Sequence, residues 1–262
     1  MTTLDLIISL FCLVDDRIGH LPKHPRAKLY PSELVTIGLL FALKGCSFRA
    51  FYRWLSRDYS EWFSLPERTR LQRLLATHQD LCDLFLADPT FFTVVDTYGI
   101  ELIHPWREGR SPKQLGKKGK SNHRWIVGIK LCWLINSRGE VVAWDWDTAN
   151  VHDQVFLPMI RPFEGETITL ADRGFASAAG IPENLKLCPK GKWNERRLVE
   201  TVLSMLTLVC HLKHLFHRTA KYLRAHLAYL AAMFNTLLEL NRQLHPEAPM
   251  EDRLLHIAQY SL

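Results

Sequence analysis

The 262-residue chain is 47% hydrophobic and 23% charged, a balance that supports a sizeable core in one large or two small domains. Its formal net charge of +6 favours anionic polymers as partners and carries no information about fold. Six cysteines without a Cys-x-x-Cys pair argue against a disulfide framework or zinc knuckle, no apolar run reaches the roughly 18 residues of a membrane span, and no basic leader precedes the run Ile7 to Val14, so the expected location is cytoplasmic, away from membranes.

Helical periodicity dominates up to Asp88. Leu4, Ile7, Phe11 and Val14 define a first helix, Pro31 opens a second through Ala42, Ser47 caps a third from Phe48 to Arg57, and Glu67 to Leu86 reads as a fourth. From Thr90 the period changes. "FFTVVDTY" is an apolar strand ending at Asp96, the stretch from Lys113 to Asn122 is a flexible loop, and "WIVGIKLCWLIN" and "EVVAWDWDTA" are strands joined at Ser137-Arg138-Gly139. A short helix from Asp153 to Ile160, strands at "TITLAD" and "LKLCP", and a long helical region from Asn194 to Gln243 complete the order. This predicts an all-α region over 1–88 and an α/β domain over 89–262.

Two acids stand where apolar strands end, Asp96 and Asp172, and the edge of an open α/β sheet is where ligands bind. Gly174 permits the bend after Asp172. Taken singly, each aspartate is as readily a turn cap. The third acid, Glu200, lies on a helix that reads as apolar nearly all round, in one polar row with Arg196, Ser204, Thr207 and His211. A buried acid needs a partner or a metal; an Arg196–Glu200 ion pair is the simpler alternative. Three gathered carboxylates suit hard divalent cations, and two such ions serve phosphodiester chemistry. The segment Arg107 to Arg124, with Arg110, Lys113, Lys117, Lys118 and Lys120 against the single acid Glu108, would neutralise a DNA backbone beside them.

The ordered set "VVDTY", "WIVGIKLCWLINSRGEVV", "TANVHD", "TLADRGF" and "RRLVET" resembles the bacterial insertion-sequence transposases of the DDE class. The resemblance implies an RNase H-like mixed sheet flanked by helices, with a helical DNA-binding region before it. It implies Asp96, Asp172 and Glu200 as catalytic metal ligands, Mg²⁺ as cofactor with Mn²⁺ as substitute, and double-stranded DNA, both element ends and target, as the partner of a homodimer close to the nucleoid. Asp-Arg-Gly-Phe at 172–175 is similar to the family's Asp-x-Gly-aromatic motif, which places Arg173 beside DNA, and Asn150 with Asp153 is similar to its Asn-x-x-Asp. Around the third acid, Arg196 and Glu200 fit the family signature, whereas Trp193 replaces a Tyr and Thr207 a Lys.

Further basic groups offer DNA contacts. Residues 31–57 resemble a helix-turn-helix pair with Arg49, Arg53 and Arg57 on one face of its second helix, equally readable as a solvated face. Lys213, His217, Lys221 and Arg224 are expected on one helix face. The reading is a metal-dependent enzyme that cuts and joins DNA; the alternatives are a DNA-binding descendant without chemistry and a stand-alone nuclease.

Overall fold

In the computed structural model, residues 1–121, 124–189 and 196–260 are described, with the side chains of Arg196, Met250 and Glu251 left aside. In chain order the helices are α1 (Thr3–Ile18), α2 (Pro31–Lys44), α3 (Phe48–Asp58) and α4 (Arg68–Thr77), followed by strands β1 (Phe92–Ile103), β2 (Lys117–Ser121), β3 (Arg124–Asn136) and β4 (Val141–Thr148), the single turn α5 (Leu157–Ile160), strands β5 (Ile168–Ala171) and β6 (Leu185–Leu187), and helices α6 (Arg196–Val209), α7 (Ala220–Leu244) and α8 (Met250–His256). Two compact units result. One holds residues 1–85 and 205–262, the other residues 86–204.

In the helical unit the starts follow capping chemistry. Thr2 and Asp5 form a reciprocal capping box, Pro31 takes the first turn of α2, Ser47 Oγ accepts from Ala50 N, and the Glu67 carboxylate accepts from Thr69 N and Arg70 N. The long apolar helices α2 and α7 pack together: Gly38 lies so close to the Tyr229 ring that a Cβ would overlap it. The fourth helix is shorter than its sequence predicts. Beyond Thr77 the chain tightens into a 3₁₀ segment, Gln79–Phe85, which puts Cys82 and Phe85, three apart, on one buried stripe. No single helix among the described residues is long and apolar enough to cross a membrane.

The second unit is built on a sheet of order β2-β3-β1-β5-β6, with β4 paired to β3 beyond β2. Strands β1, β3 and β4 run antiparallel, and β5 and β6 run parallel to β1. One face buries Val95, Cys132, Leu134 and Ala171 beneath Phe156, Leu157, Ile160 and Phe175 from the short helical segments. Segment 117–121 is a strand, not part of a flexible loop. Gly119 allows it, because a Cβ there would strike the Ala149 carbonyl.

Strand β1 also runs past its predicted end: Asp96 lies inside it. What stops near Asp96 is the parallel pairing with β5, which ends at Val94 and Leu170, while pairing with β3 continues to Ile103. The apolar run thus marks the doubly paired part of the strand.

Candidate active site

The register of β1 on β5 runs up to two acids, Asp96 and Asp172. Phe92, Thr93 and Val94 pair with Ile168, Thr169 and Leu170; the pairing ends there, and the same offset extended by two residues would bring Asp96 and Asp172 to the same end of the two strands. Side chains two apart along a strand share a face, and paired strands run about 4.8 Å apart. Asp172 keeps an extended backbone, φ −79° and ψ 175°, before the chain turns. Its Oδ1 accepts from Gly174 N at 2.8 Å, and Asp96 Oδ1 accepts from Thr97 N at 2.8 Å. Both aspartates are half-buried. The turn-cap reading of Asp172 is therefore met by its bond to Gly174 N, and it leaves the second carboxylate oxygen for other partners.

Beneath the pair, on the other face of the sheet, lies a charged brace that sequence reasoning missed. Lys130 Nζ donates to Val151 O and to Asp153 Oδ1, each at 2.7 Å, and Thr97 Oγ1 donates to the same carboxylate oxygen at 3.0 Å. The Lys130 and Asp153 side chains are only 17% and 18% exposed. Gly174 closes the arrangement: a Cβ there would overlap Asp153 Oδ2 and lie 2.9 Å from Asp172 Oδ1. Its backbone is not left-handed, so the position requires glycine for space and not for a positive φ, a different reason from the bend expected. Asp153 thus accepts from the residue after Asp96 and packs closely against the turn after Asp172. A lysine inside the apolar strand "WIVGIKLCWLIN" was the available signal, since a sheltered ammonium requires acceptors.

The local field is acidic. Burial pushes the Cys132 thiol well above its ordinary range, and the carboxylates of Asp153, Asp96 and Asp145 push it further, opposed by Lys130. Asp145 and Asp147 sit on β4, which among the described residues pairs with β3. Asn150 accepts from Thr148 Oγ1 at 2.7 Å in the turn after β4.

Glu200 differs from its expectation. Among the described side chains of α6, Val199, Val202, Leu206 and Val209 are fully buried; Leu208 is 54% exposed, and Glu200 is itself exposed. The helix is amphipathic, so no burial cost forces a metal or a partner on this acid. The polar row is also cut short, because α6 ends at Val209 and His211 stands beyond it with φ 51°. Glu200 belongs to the sheet's unit, yet no group of three or more His, Cys, Asp or Glu side chains among the described residues is placed to hold a metal. Trp193 and Asn194, and the side chain of Arg196, lie outside the described residues.

Asp96 and Asp172 are hard oxygen donors, and Mg²⁺ is commonly held by one or two carboxylates, with waters and phosphate oxygens filling its shell. Their chemistry suits such a cation. Residues 86–186, which include both aspartates, Asn150, Asp153 and Gly174, match the family described as transposase DDE domain. This segment resembles a transposase DDE domain. The sheet that carries it, antiparallel at β4-β3-β1 and parallel from β1 to β6, is RNase H-like. The match stops before Glu200. No curated protein matches the chain.

The basic groups of the sheet's unit and of the helical unit are distributed as follows. Lys113, Lys117, Lys118, Lys120, Arg124 and Arg173 are exposed, as are Arg49, Arg53 and Arg57 on α3, whose opposite face buries Phe48, Phe51 and Leu55. Arg57 is held by Asp58, at 2.6 Å from Nε. Lys213 and His217 do not share a helix face with Lys221 and Arg224, because residues 210–219 separate α6 from α7. His217 packs with its ring centroid 4.8 Å from that of His226, and burial lowers its pKa to about 4.

Proposed function

We propose that the chain is a DNA transposase that cuts insertion-sequence ends and joins them to a target, with Asp96, Asp172 and Glu200 as its metal ligands. The observation that supports the reading is the parallel β1–β5 register running up to Asp96 and Asp172, inside a segment that matches transposase DDE domains. A divalent cation held there, Mg²⁺ or Mn²⁺, would supply the charge that stabilises a phosphodiester's transition state and acidifies an attacking water. The protein's own part is positioning. The two aspartates leave adjacent strands in one direction, the Asp153 brace fixes the backbone on either side, and exposed Lys113, Lys117, Lys118, Lys120, Arg124 and Arg173 neutralise phosphates without reading sequence. Arg49, Arg53, Lys213 and Lys221 extend that role to the helical unit, Arg196 is assigned to the phosphates beside Glu200, and the active species is a homodimer on DNA.

The test is cleavage of a labelled duplex carrying the element's end, in Mg²⁺. Asp96→Asn and Asp172→Asn each lose nicking and keep DNA binding in chelator; a variant that still nicks ends the assignment. Glu200→Gln addresses the third ligand separately, and full activity in that variant removes Glu200 alone from the set. A second reading, a DNA-binding protein without chemistry, is favoured by the absence of a three-acid cluster among the described residues. It predicts a gel shift with no Mg²⁺-dependent product from the wild type.

A further inference from the structure

The antiparallel pair formed by β2 and the start of β3 bears an aromatic side chain that the reaction does not use. Lys120 pairs with Trp125 and Lys118 with Val127, so Lys118, Lys120 and Trp125 share one face of the ribbon. Trp125 is 60% exposed, with the Lys118 ammonium 5.7 Å from its ring centroid. Gly119, Ile126 and Gly128 below are buried, which makes the ribbon a firm platform. The flanking cations are only loosely neutralised: Lys118 lies 4.0 Å from Glu108 and Arg124 3.6 Å from Glu101.

Lysines alone suffice to hold phosphates. An indole among them adds neither charge nor more than one donor; it adds a flat, electron-rich face, which is what nucleobases stack on. We infer that Trp125 is a base-stacking residue on a basic β-ribbon, and that this ribbon binds DNA containing an unpaired or unstacked base in preference to continuous duplex. The charge of the surrounding face selects a polyanion over a protein surface as the occupant. The inference rests on DNA being the substrate, as proposed above, and adds a preference for its local structure.

Fluorescence anisotropy of the full chain, in chelator, on a labelled duplex with and without a two-base bulge tests it across a salt series. Wild type is expected to bind the bulged duplex more tightly. Trp125→Ala loses about 5- to 150-fold on that substrate, little on the continuous one, and keeps the salt slope; Trp125→Phe retains most of the preference. Lys118→Ala with Lys120→Ala weakens both substrates and flattens the slope by about 0.9 for each phosphate no longer neutralised. Equal affinities for wild type and Trp125→Ala on the bulged duplex overturn the proposal, with matched circular-dichroism melts excluding misfolding. So does a Trp125→Ala loss that is the same on both duplexes and tracks a change in oligomeric state by light scattering, which would make the ring a protein contact. A wild type that binds neither duplex overturns the DNA reading itself.

Discussion

At Lys130 the ammonium has two acceptors at 2.7 Å, Val151 O and Asp153 Oδ1, and its removal would leave Asp153 sheltered with only the Thr97 hydroxyl and no cation. Breaking a buried pair from one side costs about 3–5 kcal/mol; at 17% and 18% exposure the lower end applies. Lys130→Met should therefore lower the urea midpoint by the equivalent of about 3 kcal/mol, and Lys130→Met with Asp153→Asn should recover part of it. Cleavage per folded molecule should drop about 10- to 100-fold, the usual effect of disturbing groups that orient a metal's ligands, and Lys130→Arg should restore more activity than Met. Equal activity in the Met and Arg variants would reduce the brace to a stabilising role. The contrast among acids shows what a sequence can reveal. Asp96 and Asp172 were legible because a carboxylate after an apolar run is conspicuous. The brace was not: Thr97, Lys130, Asp153 and Gly174 come from distant parts of the chain, and only the register and the turn geometry bring them together. Glu200 was chosen on a burial argument that the amphipathic α6 does not support, so resemblance alone carries it.

Among the elements, those governed by local chemistry were readable and those governed by neighbours were not. Apolar spacing marked α1, Pro31 and the Ser47 cap marked the starts of α2 and α3, and alternating or continuous apolar runs marked β3, β4 and β5. Strand β2 was hidden because three lysines around Gly119 look like solvated loop; the close approach of the Ala149 backbone, invisible in sequence, makes the glycine a strand residue. The break after α6 was equally hidden. His211 adopts a left-handed backbone, and Leu212 N reaches back to Leu206 O at 3.2 Å, so the chain leaves the helix without a glycine or proline to announce it. Packing between α2 and α7 gives a direct test. Tyr229 is 1% exposed and its hydroxyl donates to Leu75 O at 3.2 Å, so the ring cannot swing away from a methyl group added at residue 38. Gly38→Ala should destabilise by about 1–3 kcal/mol, the cost of overpacking, even though alanine is the better helix former. A thermal melt unchanged or raised would show that the two helices can separate to accept it.

For the whole molecule, charge and buried histidines set how it responds to salt and acid. The net charge of +6 makes DNA affinity fall with ionic strength, whereas the histidines act on stability. His217 and His226 meet Phe41 at ring-centroid distances of 6.2 and 4.9 Å, and the other titratable groups lining the same space are Tyr222 and Tyr229. Burial lowers His217 from 6.5 to about 4, and it lowers His226 well below its ordinary value, with His217 adding to the effect. Both imidazoles are therefore neutral in the fold and protonate in the unfolded chain first. The contribution is complete above the unfolded value near 6.5 and is lost as pH falls from there towards 4, because the unfolded state then binds more protons. For His217 the full loss is up to about 3 kcal/mol, at 1.36 kcal/mol per unit. Urea midpoints measured between neutral pH and pH 4.5 should fall steeply for the wild type and less steeply for His217→Phe, which keeps an aromatic ring against Phe41 but has no proton to take up. Parallel curves for the two proteins would mean that the imidazole reaches water in the native state, and the aromatic cluster around Phe41 would then be open instead of packed.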